Sequence, residues 1–109
     1  MSVSSNIGYV SKEDGKIHYV YCHFAGYYGQ LGVDLFNKFK KYEDVVELIE
    51  KGDMSYIDTP YTSLGEEFKK PRIVNTLKSF KEDNYLYIFD KDIWKTLSED
   101  EYVSLRSVI

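Results

Sequence analysis

The run KIHYVYCHF, residues 16–24, constrains this chain more than any other. Its β-branched and aromatic residues suit a pleated strand, in which neighbouring side chains point to opposite faces. Ile17, Tyr19, Tyr21 and His23 are therefore expected on one face, and His18, Val20, Cys22 and Phe24 on the other. SNIGYVS, residues 5–11, precedes it, and Asp14-Gly15 between the two runs signals a hairpin, because glycine takes the positive φ that tight turns demand. YLYIF, residues 85–89, divides likewise, with Tyr85, Tyr87 and Phe89 opposed to Leu86 and Ile88. Across the DKD turn it meets IWKTL, residues 93–97, in a second expected hairpin. Val20, Cys22, Phe24, Leu86 and Ile88 are expected to meet helices, leaving the tyrosines on the second face.

Between the hairpins the period changes. Leu31, Leu35, Phe36 and Phe39 recur at helical spacing, and YEDVVELIEKGD carries a stripe of Val45, Leu48 and Ile49 with Gly52 at the capping position. Residues 53–70 read as irregular. Pro71 reads as the first position of a third helix bearing Ile73, Leu77 and Phe80, broken at Glu82-Asp83-Asn84. Ser98 and Glu101 have capping-box spacing, which predicts a closing helix through Leu105. The expected fold is one α+β domain over residues 1–109. It has an antiparallel sheet of about four strands, from two hairpins, with helices packed on one face.

Composition narrows the function. A net charge of −4 argues against a general nucleic-acid binder, which needs clustered Lys and Arg to neutralise phosphates. The single Cys22 excludes an internal disulfide and fits a reducing compartment. MSVSSNIGYVSKEDG lacks the pattern of a secretory signal, and no run approaches the length of a membrane span, so a cytoplasmic location is expected.

HYVYCHFAGYYGQ, residues 18–30, concentrates four tyrosines, two histidines and the cysteine. Parity separates Cys22 from His23, so they are not expected to act as nucleophile and base. His18 and Cys22 share a face but stand roughly 13 Å apart at strand rise. One cysteine and two histidines lack the paired spacing of a zinc site, and no cofactor is expected. No nucleophile, base or metal constellation emerges, and the chain reads as a non-enzyme.

Three surfaces are candidates for binding. Tyr19, Tyr21, Tyr85 and Tyr87 either cover the sheet or form an aromatic contact surface for a protein. Glu43, Glu47 and Glu50, with Asp44 and Asp53 nearby, form an acidic ridge that is either a solvated helix face or an imitation of nucleic-acid phosphates. AGYYGQLG, residues 25–32, places Gly26, Gly29 and Gly32 before a helix. These glycines either ease the passage or let Tyr27, Tyr28 and the Gly29 amide hold a nucleotide. Asp90, Asp92, Glu99, Asp100 and Glu101 make a second acidic patch.

IGYVSKEDGKIHYVYCHFAGYYGQLGVDLFNKF, followed by VVELIEKGDMSYI, resembles a group of small, mostly uncharacterised phage and prophage proteins. Their pattern is an N-terminal hairpin ending in a Tyr-Cys-His-Trp-Asp-Gly-Tyr-like motif, with a Leu-rich helix and a Leu-Gly-Asp-like segment after it. Tyr21, Cys22, His23, Gly26 and Tyr27 match that motif and Gly52-Asp53 match the later segment, whereas Phe24 and Ala25 replace the Trp-Asp pair. The likeness covers the first half of the chain and, more loosely, YLYIFDKDIW. It implies a small accessory protein acting in the cytoplasm of a bacterial host. The leading expectation is a non-enzymatic inhibitor of a host-defence system such as CRISPR. Its partner would be a host protein or protein–nucleic-acid complex, met by protein–protein contact without direct nucleic-acid or membrane binding. The alternative is a protein that sequesters a nucleotide.

Overall fold

The computed structural model describes residues 4–24, 26–56, 59–60, 71–75, 85–98 and 101–109. Strands β1 (Ser5–Val10) and β2 (Ile17–Cys22) form the first expected hairpin, paired antiparallel from Ser5↔Cys22 to Val10↔Ile17. Its turn is closed by Gly15 at φ +70°, and the Lys16 amide donates to Asp14 Oδ1 at 2.8 Å. One wide helical turn, Tyr28–Gly32, leads into α1 (Val33–Lys38), and α2 (Tyr42–Glu50) follows. The expected stripes point inward: Leu31, Leu35, Val45, Leu48 and Ile49 are buried. Gly52, at φ +95°, ends the passage out of α2, the left-handed stop that only glycine takes freely.

Then come β3 (Met54–Tyr56), β4 (Thr59–Pro60), β5 (Arg72–Val74), β6 (Tyr85–Asp90), β7 (Ile93–Ser98), β8 (Glu101–Ser104) and a closing 3-10 turn, Leu105–Ser107. Among the described residues these strands form one sheet in the order β4-β3-β2-β1-β6-β7-β8, with β5 also paired to β2. The sheet is larger than the four antiparallel strands expected, and it is mixed, because β1 lies parallel to β6 and β2 meets β3 in parallel. The second hairpin docks against β1, which is buried along nearly its whole length as a central strand must be. The strands at 54–56, 59–60 and 72–74 are too short for alternation to reveal them.

Where two further helices are expected, the described residues Arg72–Val74 and Glu101–Ser104 are strands. Arg72–Val74 pairs with Ile17–Tyr19, and Ile73 stands 55% exposed where a helix would have buried it. β-Branched Ile73 and Val74 suit the free edge of β2, while Leu77, Phe80 and the 82–84 break lie outside the described residues. At the C-terminus, Ser98 pairs directly with Glu101 across a hairpin. A three-residue step between Ser and Glu fits a capping box, but it equally fits residues facing each other across a tight hairpin. The edge of β7 decides in favour of the hairpin.

The helices cover one face of the sheet. There Ile7, Tyr9, Val20, Cys22, Tyr87, Phe89 and Trp94 pack with Leu35, Val45, Leu48, Ile49, Met54 and Leu105. Val20 and Cys22 thus meet the helices as expected. Leu86 and Ile88 do not: with Ile17 they form a second cluster on the other face, alongside Tyr19, Val74, Leu97 and Tyr102. Alternation fixes which residues of a strand share a face, but the register with β1 decides which face that is. Ile7 is matched to Val20 on one side and to Tyr87 on the other, so the β6 aromatics turn inward.

Candidate functional site

Of the motif residues, Tyr21 to Phe24 meet the segment that follows Gly52-Asp53 at the outer edge of β2, whereas Gly26 and Tyr27 lie against β6. That edge is divided: β5 takes Ile17–Tyr19 and β3 takes Cys22. In the gap between them the Tyr21 amide donates to Asp53 Oδ1 at 3.0 Å. Asp53 is buried, and a buried carboxylate needs a charged partner. Arg72 supplies it in a bidentate pair, Nη1 to Oδ1 at 2.8 Å and Nη2 to Oδ2 at 3.0 Å. The Asp53 bonds hold the Arg72 guanidinium still more firmly in its charged form. Asp53 therefore works as a joint between three strands, not as part of the acidic ridge.

Cys22 is fully buried, and its thiol donates to the carbonyls of Phe24 (3.5 Å) and Ser55 (3.8 Å). Burial pushes the thiol up to about 12, so Cys22 carries its proton at neutral pH. The neighbouring His23 instead bonds Tyr21, with the Tyr21 hydroxyl 2.7 Å from Nδ1, the i, i+2 partnership that strand parity favours. Phe24 does not join the helix face. β2 ends at Cys22, and Phe24 stacks on Tyr56 (5.2 Å) and meets the His23 ring edge-on (4.3 Å). His18 lies 3.2 Å from Asp14 and under the Tyr9 ring, far from the thiol's partners. Among the described residues no three His, Cys, Asp or Glu side chains converge as a metal site requires.

The tyrosines proposed as one surface occupy two faces. Tyr19 packs beside Ile17 and Leu86 on the face away from the helices, and alternation puts Tyr21 on that side. Tyr85 and Tyr87 are on the helix side, and Tyr87 is fully buried, so the four do not form a shared contact patch. The Tyr87 hydroxyl donates to the Gly26 carbonyl at 2.7 Å, and burial raises its pKa far above the ordinary phenol value. The Tyr28 hydroxyl donates to the Leu97 carbonyl at 3.3 Å. Such bonds let a ring be buried without stranding its polar tip. They tie the Gly26–Tyr28 passage to β6 and β7.

Tyr28 also packs edge-on against Tyr85 at 4.9 Å, so its ring and its hydroxyl are both engaged. Tyr27 is 45% exposed and Gly29 faces solvent. Ala25 lies outside the described residues.

Glu43, Asp44, Glu47 and Glu50 are all exposed along α2, opposite its buried stripe. Glu50 accepts a long bond from the Tyr9 hydroxyl, 3.4 Å. Of the second acidic patch, Asp90 pairs with Lys95 at 3.7 Å, while Glu99 and Asp100 lie outside the described residues.

A further site gave no signal in the sequence. Phe36 and Lys40 of the α1 region, Phe89, Asp92, Ile93 and Trp94 of the second hairpin, and Ser104 and Arg106 line an open cleft of about 470 Å³. Its residues come from three separate stretches of the chain, and Lys40 lies past the end of α1. No family model, curated protein or solved structure matches the chain, and no helix among the described residues is long and apolar enough to cross a membrane.

Proposed function

We propose that this chain is a small, non-enzymatic binding protein of phage or prophage origin that acts in the bacterial cytoplasm on a basic host surface. A nucleic-acid-handling defence complex of the CRISPR kind presents such a surface. The observation that carries this reading is the outer face of α2. Glu43, Asp44, Glu47 and Glu50 project together into solvent from a helix whose other side is locked into the core by Val45, Leu48 and Ile49. Carboxylates on a rigid rod imitate a line of phosphates, and they speed encounter with a cationic groove through long-range attraction. The buried, protonated Cys22 and the engaged His23 support contact over turnover.

Nucleotide capture by Tyr27, Tyr28 and Gly29 has less behind it, because Tyr28 would have to abandon both Tyr85 and the Leu97 carbonyl to stack a base. The test is interference against phage in a bacterium carrying an active CRISPR effector. Expression of the chain should restore plaquing, and Glu43→Lys with Glu47→Lys should remove that effect while the protein stays folded. Full interference in the presence of the native chain, or protection indifferent to charge reversal, contradicts the proposal.

A further inference from the structure

The cleft between α1, the β6–β7 turn and the C-terminal turn has the composition of a ligand site, and it is separate from the acidic face of α2. Its volume of about 470 Å³ lies within the range of roughly 300–1,000 Å³ that small-molecule pockets occupy. Its floor is aromatic and fixed. Phe89 and Trp94 are paired across β6 and β7, pack edge-to-face at 5.2 Å, and are nearly fully buried. The Trp94 indole N–H is already spent on the Phe39 carbonyl at 2.8 Å, which locks the ring in place. Half-buried Phe36 and 49% exposed Ile93 add apolar walls.

The rim carries charge of a definite kind. Lys40 and Arg106 both line the cleft and are exposed. Lys38 and Lys95, close by in sequence, pair with Asp34 and Asp90, but among the described residues neither Lys40 nor Arg106 is paired with a carboxylate. Asp92 and Ser104 complete the rim as hydrogen-bonding groups. An apolar floor with two unpaired cations is complementary to a flat apolar body bearing an anionic group, since Arg and Lys hold phosphate and carboxylate through charge-assisted bonds. Asp92 would accept from a hydroxyl or amino group on the same molecule.

We infer that this cleft binds a small aromatic anion, a planar ring carrying a phosphate or carboxylate, with Lys40 and Arg106 holding the anionic group and Phe36, Ile93 and Trp94 packing the ring. Trp94 is the sole tryptophan, so tryptophan emission reads the residue at the floor of this cleft. The experiment is a fluorescence titration of the whole chain with adenosine 5′-monophosphate and, separately, 4-hydroxyphenylacetate, to distinguish the phosphate source from the carboxylate source. Adenosine and inorganic phosphate serve as the isolated halves.

A saturable change in Trp94 emission is expected with at least one of the two anions, and each half should bind about tenfold more weakly or worse, as loss of a charge-assisted contact or of the ring packing implies. Lys40→Gln with Arg106→Gln should abolish saturation without lowering the melting temperature, because both side chains are exposed. Glu43→Lys should leave the titration unchanged, which separates this site from the α2 surface. Emission indifferent to both anions, inorganic phosphate binding as tightly as the nucleotide, or saturation that survives loss of both cations overturns the inference.

Discussion

The acidic face of α2 and the cationic cleft are built in opposite ways. The α2 carboxylates are exposed on one helix, and Glu50 takes a long bond from the Tyr9 hydroxyl. The cleft takes residues from three parts of the chain and rests on Phe89 and Trp94, which are themselves core. The first surface suits a large partner recognised by field and shape, and it is cheap to alter. The second suits a small ligand recognised at contact distance, and its floor cannot change without disturbing the fold. Where a site shares residues with the core, stability and binding move together; where it does not, they separate.

The largest expected effect comes from breaking that sharing. Trp94→Ala removes a buried ring and leaves the Phe39 carbonyl unpaired, so urea unfolding should show a loss of about 3–5 kcal/mol. A loss below about 1 kcal/mol, the scale of a surface change, means that the floor is not core. Tyr87→Phe comes next. It keeps the ring but strands the buried Gly26 carbonyl, for a cost of about 1–3 kcal/mol in the same measurement. An unchanged midpoint shows that the hydroxyl tie carries no weight.

The β6–β7 turn should respond with a gain. Lys91 and Asp92 sit at φ 52° and 64°, a left-handed pair without glycine, whereas the β1–β2 turn uses Gly15. Replacing them by Asn-Gly should raise stability by about 1 kcal/mol, because left-handed backbone strains a side chain that glycine lacks. No gain places the turn at ease as it stands. The smallest effect belongs to the α2 face: Glu43→Lys with Glu47→Lys should change the unfolding free energy by about 0.5 kcal/mol or less. A larger loss ties those carboxylates to the fold and ends the contrast.

Much of this architecture was legible in the sequence because local patterns carried it. The Asp14-Gly15 turn, the inward stripe of α2 and the Gly52 stop each depend on residues close together in the chain. What was hidden depended on pairing at a distance. No local rule distinguishes a β6 whose leucine and isoleucine face the helices from one whose tyrosines do, because parity leaves the choice to the register with β1. Ile73 and Glu101 likewise became strand residues through the free edges of β2 and β7. The cleft was hidden for the same reason, since Lys40, Asp92 and Arg106 become neighbours only when the sheet is assembled.

That the Tyr-Cys-His passage serves as framework, leaving function to surfaces elsewhere, is tested most directly by the thiol. Cys22 is the sole cysteine, so a thiol reagent reads it without ambiguity. Its folded-state pKa is raised from 9.0 to about 12, so the native state keeps a proton that the unfolded state releases between those values. The stability that Cys22 contributes should therefore be intact below pH 9 and be lost as the pH climbs toward 12. At neutral pH, labelling of the native protein by a disulfide reagent should be slow and limited by opening of the fold, and it should become immediate in denaturant. Rapid stoichiometric labelling of the folded chain, at the rate of an activated thiolate, would contradict it.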